Sequence, residues 1–196
     1  KSSKLPFHLS TLSSDFPLDL IFSDVWTSPV LSIDQFKYYV IFVDYFTHYI
    51  WFIPLKRKSD TFQAFTCFKS IVENYFKRKI RRLYSDNNGG EYQKLTPYLL
   101  DNGITHLTSP PHTPEHNGFA ERRHHHIVET GLSLLSHAKV PTQFWPHAFS
   151  TAVYLINRLP TLTLENQSAY SKLFNLQPDY TTLRSFGCLC FSLVTP

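Results

Sequence analysis

The sequence predicts an α/β protein, a mixed five-stranded sheet flanked by helices. Short apolar runs rich in β-branched and aromatic residues occur at 18–26, 37–46, 48–55, 79–86 and 104–108. Segments with apolar residues at helical spacing fall between and after them. A composition that is 42% hydrophobic and 16% aromatic can fill a core in 196 residues and excludes wholesale disorder. The order strand-strand-strand-helix-strand-helix-strand-helix-helix puts helices on both faces of the sheet. Residues 1–16 are expected to form an extended lead-in, 17–140 the α/β core, and 141–196 a helical extension with a strand-like tail.

LDLIFSDVW (18–26) ends in a Thr-Ser-Pro turn, so it reads as a strand with Asp24 near its end. KYYVIFVDYF (37–46) is almost continuously apolar, as a strand covered on both faces would be. HYIWFIPL (48–55) follows after a very short turn and pairs with it as a hairpin. Ser59 is a candidate N-cap for a helix in which Phe62, Ala64, Phe65, Phe68, Ile71, Val72 and Phe76 share a face, ending near residue 77. KIRRLYSD (79–86) delivers Asp86 at the carboxyl end of a fourth strand. Asn87, Asn88, Gly89 and Gly90 are turn residues. A short helix at Leu95–Leu100 and a strand at Ile104–Thr108 follow, and SPPHTP (109–114) is a rigid loop. A long helix is expected from Pro114, with Glu115 at its positive end. Ala120, Ile127, Val128, Gly131, Leu132, Leu135 and Ala138 line one side of it. After Pro141 another helix turns Phe144, Trp145, Ala148, Ala152, Leu155 and Ile156 inward. A short helix near 168–175 precedes the tail SFGCLCFSLV.

The formal charge of +4 is too small to establish nucleic-acid binding by itself. Its distribution says more. Lys56, Arg57 and Lys58 form one cluster, Lys77, Arg78, Lys79, Arg81 and Arg82 a denser one, and Arg122 and Arg123 a third. Each suits phosphates, or equally a solvated helix end. The aromatic residues read as core, because the patterned exposed rings of single-strand binders are missing. Three cysteines, Cys67, Cys188 and Cys190, do not suggest a disulfide framework. Cys188 and Cys190 are expected on one side of a strand, packed rather than metal-bound. His124, His125 and His126 are consecutive on a helix, point in different directions and cannot all bind one ion. No signal peptide and no bilayer-length apolar run is visible, so an intracellular, soluble protein with no membrane partner is expected. A chain without methionine, even at position 1, is expected to be an excerpt of a longer polypeptide.

Three acidic residues are placed where a two-metal site needs them. Asp24 and Asp86 end apolar runs, and Glu121 lies early in a helix, 35 positions after Asp86. Mg²⁺ prefers oxygen ligands and keeps several waters, so its protein site supplies a few carboxylates. Two such ions, roughly 3.5–4 Å apart, activate an attacking oxygen and stabilise a leaving one. Strand ends and a helix start are rigid supports for such ligands. Crowded carboxylates raise one another's pKa, and a metal removes that conflict, so divalent metal is expected to stabilise the fold. By position alone Asp44, at the end of the second run, rivals Asp24. Glu91 rivals Asp86 less well, because it lies past the glycine pair.

The segments FSDVW, YSDNNGGEY, TPEHNGFAERRHHHIVET and LRSFGCLCF, in that order, resemble the signatures of integrases of Ty1/copia-type (Pseudoviridae) retrotransposons. KSSKLPF resembles the segment that follows the zinc-binding module in those polyproteins. The resemblance covers nearly the whole chain. It implies a retroviral-integrase-like catalytic core with an RNase H-like fold and a D,D-35-E triad holding two Mg²⁺ or Mn²⁺ ions. Matched residue by residue, the triad is Asp24, Asp86 and Glu121, which selects Asp24 over Asp44. Asp24 would bridge both ions, Asp86 would hold one and Glu121 the other. The implied reaction is two in-line displacements at phosphorus: water trims the 3′ end of the element's DNA, and the new 3′-hydroxyl then attacks a target phosphodiester. Asn117 and His112 match positions near the element's DNA end, while Arg122 and His125 are placed to reach phosphates. The implied partners are element cDNA ends, target DNA and further copies of the chain, as a homodimer or higher oligomer. The implied location is the nucleus, with a cytoplasmic particle before import.

Two features depart from the family pattern. Asn87 and Asn88 stand between Asp86 and the glycine pair where one residue is usual, and 34 residues rather than 35 separate Asp86 from Glu121. The asparagine loop motivates an alternative expectation, a catalytically decayed copy acting only in DNA binding and assembly. An RNase H-like nuclease is the third expectation. It lacks a clear fourth carboxylate.

Overall fold

A computed structural model of the chain describes residues 12–86, 90–108 and 118–189. Strands β1 (Leu20–Thr27), β2 (Tyr38–Asp44) and β3 (Ile50–Leu55) pair antiparallel in succession. Helix α1 (Thr61–Phe76) carries the chain back across the sheet, so that β4 (Arg82–Ser85) runs parallel to β1. Helices α2 (Gly90–Gln93) and α3 (Leu95–Asp101) lead to β5 (Thr105–Thr108), parallel to β4. The sheet order is β3-β2-β1-β4-β5, the mixed five-stranded sheet that the sequence predicts.

Side-chain alternation along the strands sends two sets of apolar residues to opposite faces. Ile21, Val40, Phe42 and Leu83 meet Phe65, Phe68 and Val72 of α1 and Leu95 and Leu99 of α3. Leu20, Phe22, Tyr39, Ile41 and Val43 meet helices α4 (Gly118–Ala138) and α5 (Trp145–Arg158). Each fully buried Leu or Phe contributes about 1.5–3 kcal/mol of transfer free energy. The two long helices approach closely because residue 131 is glycine: a Cβ there would lie 2.3 Å from the Phe149 ring. At the sheet edge, Asn157 of α5 accepts the Ile50 N–H (2.9 Å) and donates to the Ile50 carbonyl (2.8 Å).

Several boundaries differ from the sequence reading, each for a local reason. Ser59 does not cap α1. Residues Lys58–Asp60 form a single tight turn, in which the Asp60 carboxylate takes the Arg57 N–H at 3.0 Å. The helix ends where Lys77 turns left-handed (φ 53°). On α4, Leu132 is exposed, and the buried stripe instead runs Ala120, His124, Ile127, Gly131, Leu135. On α5, Phe149, Val153 and Asn157 are buried, while Phe144 and Leu155 are only half-buried. A minor two-stranded ladder, β6 (Pro160–Thr161) with β7 (Gln167–Ser168), was not foreseen. It leads into α6 (Ala169–Phe174), capped by the Ser168 hydroxyl.

Residues 185–189 are not a strand. They turn at Gly187 (φ 79°), where a Cβ would meet Ala138 at 2.7 Å, and Phe186 packs on the α4–α5 face. Cys188 is therefore exposed rather than packed. Cys190, the lead-in through residue 11, the Asn87-Asn88-Gly89 turn, the SPPHTP loop and the helix start at Pro114 lie outside the described residues. No described helix is long and apolar enough to cross a membrane.

Candidate carboxylate site

The sheet register brings two of the predicted acids side by side. Ser23 of β1 pairs in parallel with Ser85 of β4, so Asp24 and Asp86 follow as the next residues on the two chains. Neighbouring strands lie about 4.8 Å apart. The Asp24 carboxylate has two identifiable neighbours. Its Oδ1 accepts the Val25 N–H at 2.8 Å, and its Oδ2 lies 3.2 Å from Nε2 of His124.

Glu121 sits one helical turn before His124, in the exposed first turn of α4. The orientation of α4 fixes which flank it occupies. Ala120, His124 and Ile127 face the sheet. Arg123 reaches toward β2 and β3, where a guanidinium nitrogen lies 3.0 Å from His48 Nδ1 and the group lies over the Phe119 ring. Two residues on a helix are about 200° apart, so Glu121 projects from the opposite flank, the one nearer β4 and Asp86. Among the described residues, no three His, Cys, Asp or Glu side chains gather closely enough to hold one ion. The structure thus joins Asp24 to Asp86 by register and to the helix of Glu121 by His124, without closing the three carboxylates onto a point.

Beneath the acids, on the other side of the sheet, lies a hydrogen-bonded polar layer. Ser23 Oγ and the Tyr92 hydroxyl are 2.7 Å apart, Ser85 Oγ and His106 Nε2 are 2.8 Å apart, and His106 Nδ1 lies 3.1 Å from Thr96 Oγ1. Burial holds the Tyr92 hydroxyl protonated well above its ordinary range, and the negative charges of Asp24, Glu91 and Asp86 push it further. Burial likewise lowers His106. The available donors, hard carboxylate oxygens of Asp24 inside β1 and Asp86 just past β4, are of the kind that Mg²⁺ or Mn²⁺ prefers. Tyr39, Ser23 and Tyr92 were not singled out by the sequence, and His124 was read only as one of three consecutive histidines that cannot all bind one ion. The spacing of His124 three residues after Glu121 is the one signal that could have found any of them.

The rival residues resolve differently. Asp44 is fully buried, and its oxygens are taken by the Leu18 N–H (2.8 Å), the Thr47 N–H (2.8 Å) and the Thr47 hydroxyl (2.6 Å). Glu91 opens α2 and lies 3.9 Å from the Lys58 ammonium. Arg122 is exposed, with its guanidinium folded back over Gly118, and His125 is exposed 3.0 Å from Glu129. Asn117 and His112 lie outside the described residues. The densest basic cluster precedes β4 and so sits at the strand end remote from Asp86. There Arg82 pairs with Asp19, and Arg78 and Arg81 cover the Phe16 ring. Arg57 is likewise paired, with Asp60.

A hairpin-led mixed sheet with one acid inside β1 and another just past the adjacent parallel β4, crossed by a helix bearing a third, has the RNase H-like arrangement of integrase catalytic cores. Solved structures agree on the fold. The HTLV-2 integrase catalytic core domain in complex with magnesium (trimeric form) superposes with a TM-score of 0.59 at 19% identity, over 81% of this chain and 97% of that one. A chain of the simian T-cell lymphotropic virus intasome in complex with PP2A regulatory subunit B56 gamma gives 0.64 at 19%, over 86% and 60%. The integrase core domain family matches residues 15–114, and this chain belongs to that family. The match spans Asp24 and Asp86 and ends before Glu121. Retrovirus-related Pol polyproteins are similar along the whole length. That of transposon RE2 of Arabidopsis thaliana is 59% identical over 100% of this chain, and that of transposon TNT 1-94 of Nicotiana tabacum 39% over 99%. The chain spans only 13% and 15% of those relatives.

Proposed function

We propose that the chain is the catalytic core of a retrotransposon integrase that joins the 3′ ends of element cDNA to target DNA by two-metal phosphoryl transfer, with Asp24, Asp86 and Glu121 as the ligand set. The observation that supports it most is the parallel register of β1 and β4, which sets Asp24 beside Asp86, while His124 of the helix that carries Glu121 lies 3.2 Å from Asp24. When bound, divalent metal supplies activation of the attacking oxygen and charge neutralisation at the leaving one. The chain's own part is to hold three carboxylates on stiff supports and to orient the DNA strand, since positioning and electrostatics carry phosphoryl transfer. Arg122 and His125, exposed on the outer side of α4, are proposed to meet backbone phosphates, and Asn117 and His112 the element's DNA end. DNA ends, target DNA and further copies of the chain are the proposed partners, and the nucleus is the proposed site of action.

The test is strand joining with pre-trimmed element-end DNA, a target plasmid and Mn²⁺, alongside disintegration of a branched substrate. Glu121→Gln should lower both by at least about a hundredfold. Saturating metal, at about a hundred times its dissociation constant, should stabilise the wild-type fold by about 2.7 kcal/mol. Joining that persists in Glu121→Gln would refute the triad. A second reading, DNA binding without catalysis, draws on the three carboxylates not being gathered around one point. It predicts DNA retention with no joined product and no disintegration. Cleavage of RNA–DNA hybrid in place of joining would mark a nuclease.

A further inference from the structure

Histidine 124 occupies a place in α4 where an apolar residue would serve packing equally well. It is 6% exposed and lies in the stripe of Ala120, Ile127 and Gly131 against the sheet. Both of its ring nitrogens are nonetheless directed at polar atoms. Nδ1 lies 2.9 Å from the Tyr39 hydroxyl, and Nε2 lies 3.2 Å from Asp24 Oδ2. Tyr39 is itself fully buried, its ring held among Trp26, Phe52, Trp145 and Phe149, so its hydroxyl has little freedom of direction. Burial, reinforced by the charge of Asp24, keeps that hydroxyl protonated.

These contacts select a tautomer. A carboxylate has no proton to give, so the hydrogen between Nε2 and Oδ2 belongs to nitrogen. With one ring proton so placed, Nδ1 is an acceptor, and the Tyr39 O–H donates to it. The chain of donors then runs from Tyr39 through His124 to Asp24. Among the described residues, His124 Nε2 is the buried side-chain atom left without a fully formed hydrogen bond. The terminal torsion of an aspartate is soft, so a turn of the Asp24 carboxylate is the movement that would complete the bond.

We propose that His124 is a positioning residue. Its Nε2–H, oriented by Tyr39, fixes the rotation of the Asp24 carboxylate and ties the helix of Glu121 to the strand of Asp24, so that this one ligand is oriented before metal or DNA arrives. The proposal rests on the reading of Asp24 as a metal ligand. Partners that orient a ligating side chain typically change metal affinity or activity 10–100-fold when removed.

The test compares His124→Leu, His124→Gln and Tyr39→Phe with wild type and Asp24→Asn, in the 196-residue chain. Mn²⁺ affinity is measured by calorimetry, and metal-free melting reads the fold. His124→Leu should weaken Mn²⁺ binding about 10–100-fold. His124→Gln, whose amide can still donate to Asp24, should recover most of the loss at similar metal-free stability. Tyr39→Phe, which removes one oxygen from an otherwise unchanged ring, should lower affinity several-fold, and it carries the test alone if His124→Leu does not fold. In strand joining, the loss should appear in the metal concentration needed for half-maximal rate rather than in the KM for DNA. Wild-type affinity in His124→Leu and Tyr39→Phe, or equal losses in Leu and Gln, would overturn the proposal. Wild type that binds no metal, or Asp24→Asn that binds it unimpaired, would instead refute the ligand reading beneath it.

Discussion

Asp24 and Asp44 stand on adjacent antiparallel strands, three register steps apart, and the fold uses them in opposite ways. Asp44 closes the β2–β3 turn. Burial pushes its pKa up, and the hydrogen bonds from Thr47 and Leu18 pull it back, so its charge is spent on backbone donors inside the protein. Asp24 gives one oxygen to its own neighbour's N–H and turns the other toward a helix, on a side chain still 22% exposed beside a second acid. A carboxylate whose lone pairs are consumed by the main chain is a tie-rod. One left partly open where pairing with the neighbouring parallel strand stops is free to take a ligand, the role proposed for Asp24. Position in an apolar run does not separate the two, whereas the inventory of donors does.

The largest effect that sharpens this contrast is on chemistry. Asp24→Asn should abolish joining, by about a thousandfold or more, with a melting temperature within ~3 °C of wild type, as measured by parallel activity and thermal-melt series. A comparable loss from Asp44→Ala with the fold intact would break the comparison. Asp44→Ala should instead act on stability. Three buried donors lose their acceptor, which costs about 3 kcal/mol and lowers the melting temperature by roughly 10 °C, while each folded molecule keeps its activity.

The smallest effect concerns pH at the same turn. Burial, with Arg123 and Lys172 nearby, lowers His48 to about 4 from 6.5. Between those values the unfolded chain binds a proton that the folded one refuses, so stability falls as pH drops from 6.5 toward 4. Asparagine tolerates the left-handed backbone at this position (φ 61°). Chemical denaturation at pH 7 and pH 5 should therefore show His48→Asn losing about 1 kcal/mol less than wild type, after discounting for the partial exposure of the ring.

Much of this was legible in the sequence. The apolar runs gave the strands because alternation and length are local properties, and they place Asp86 just past the end of β4. Asp24, expected near a strand end, instead lies inside β1, which continues to Thr27, because pairing with β2 carries the strand on after pairing with β4 has stopped. Asp24 could not be separated from Asp44 by pattern, since the Leu18 and Thr47 donors come from the chain's path around the turn. The burial of His124 was hidden for a related reason. A histidine triplet on a helix reads as polar, and only the crossing of α4 over β1 shows that its first member faces Tyr39 and Asp24. The tail SFGCLCFSLV has the composition of a strand, yet residues 185–189 turn at Gly187 and lay Phe186 on a core already built from α4 and α5. Composition there reported neither extension nor general burial: Phe186 alone of these residues is half-buried, and Leu189 stays exposed.

The amide of Asn157 has a bearing on how molecules of this protein meet. The β3 strand borders the sheet, and a border with open N–H and C=O groups is a template for stacking one chain's sheet onto another's. Asn157 occupies both groups of Ile50 as a foreign strand would, and Pro54 lacks the N–H that such a strand would need. The β3 rim is sealed at these points, so stacking of a second sheet along this border is disfavoured.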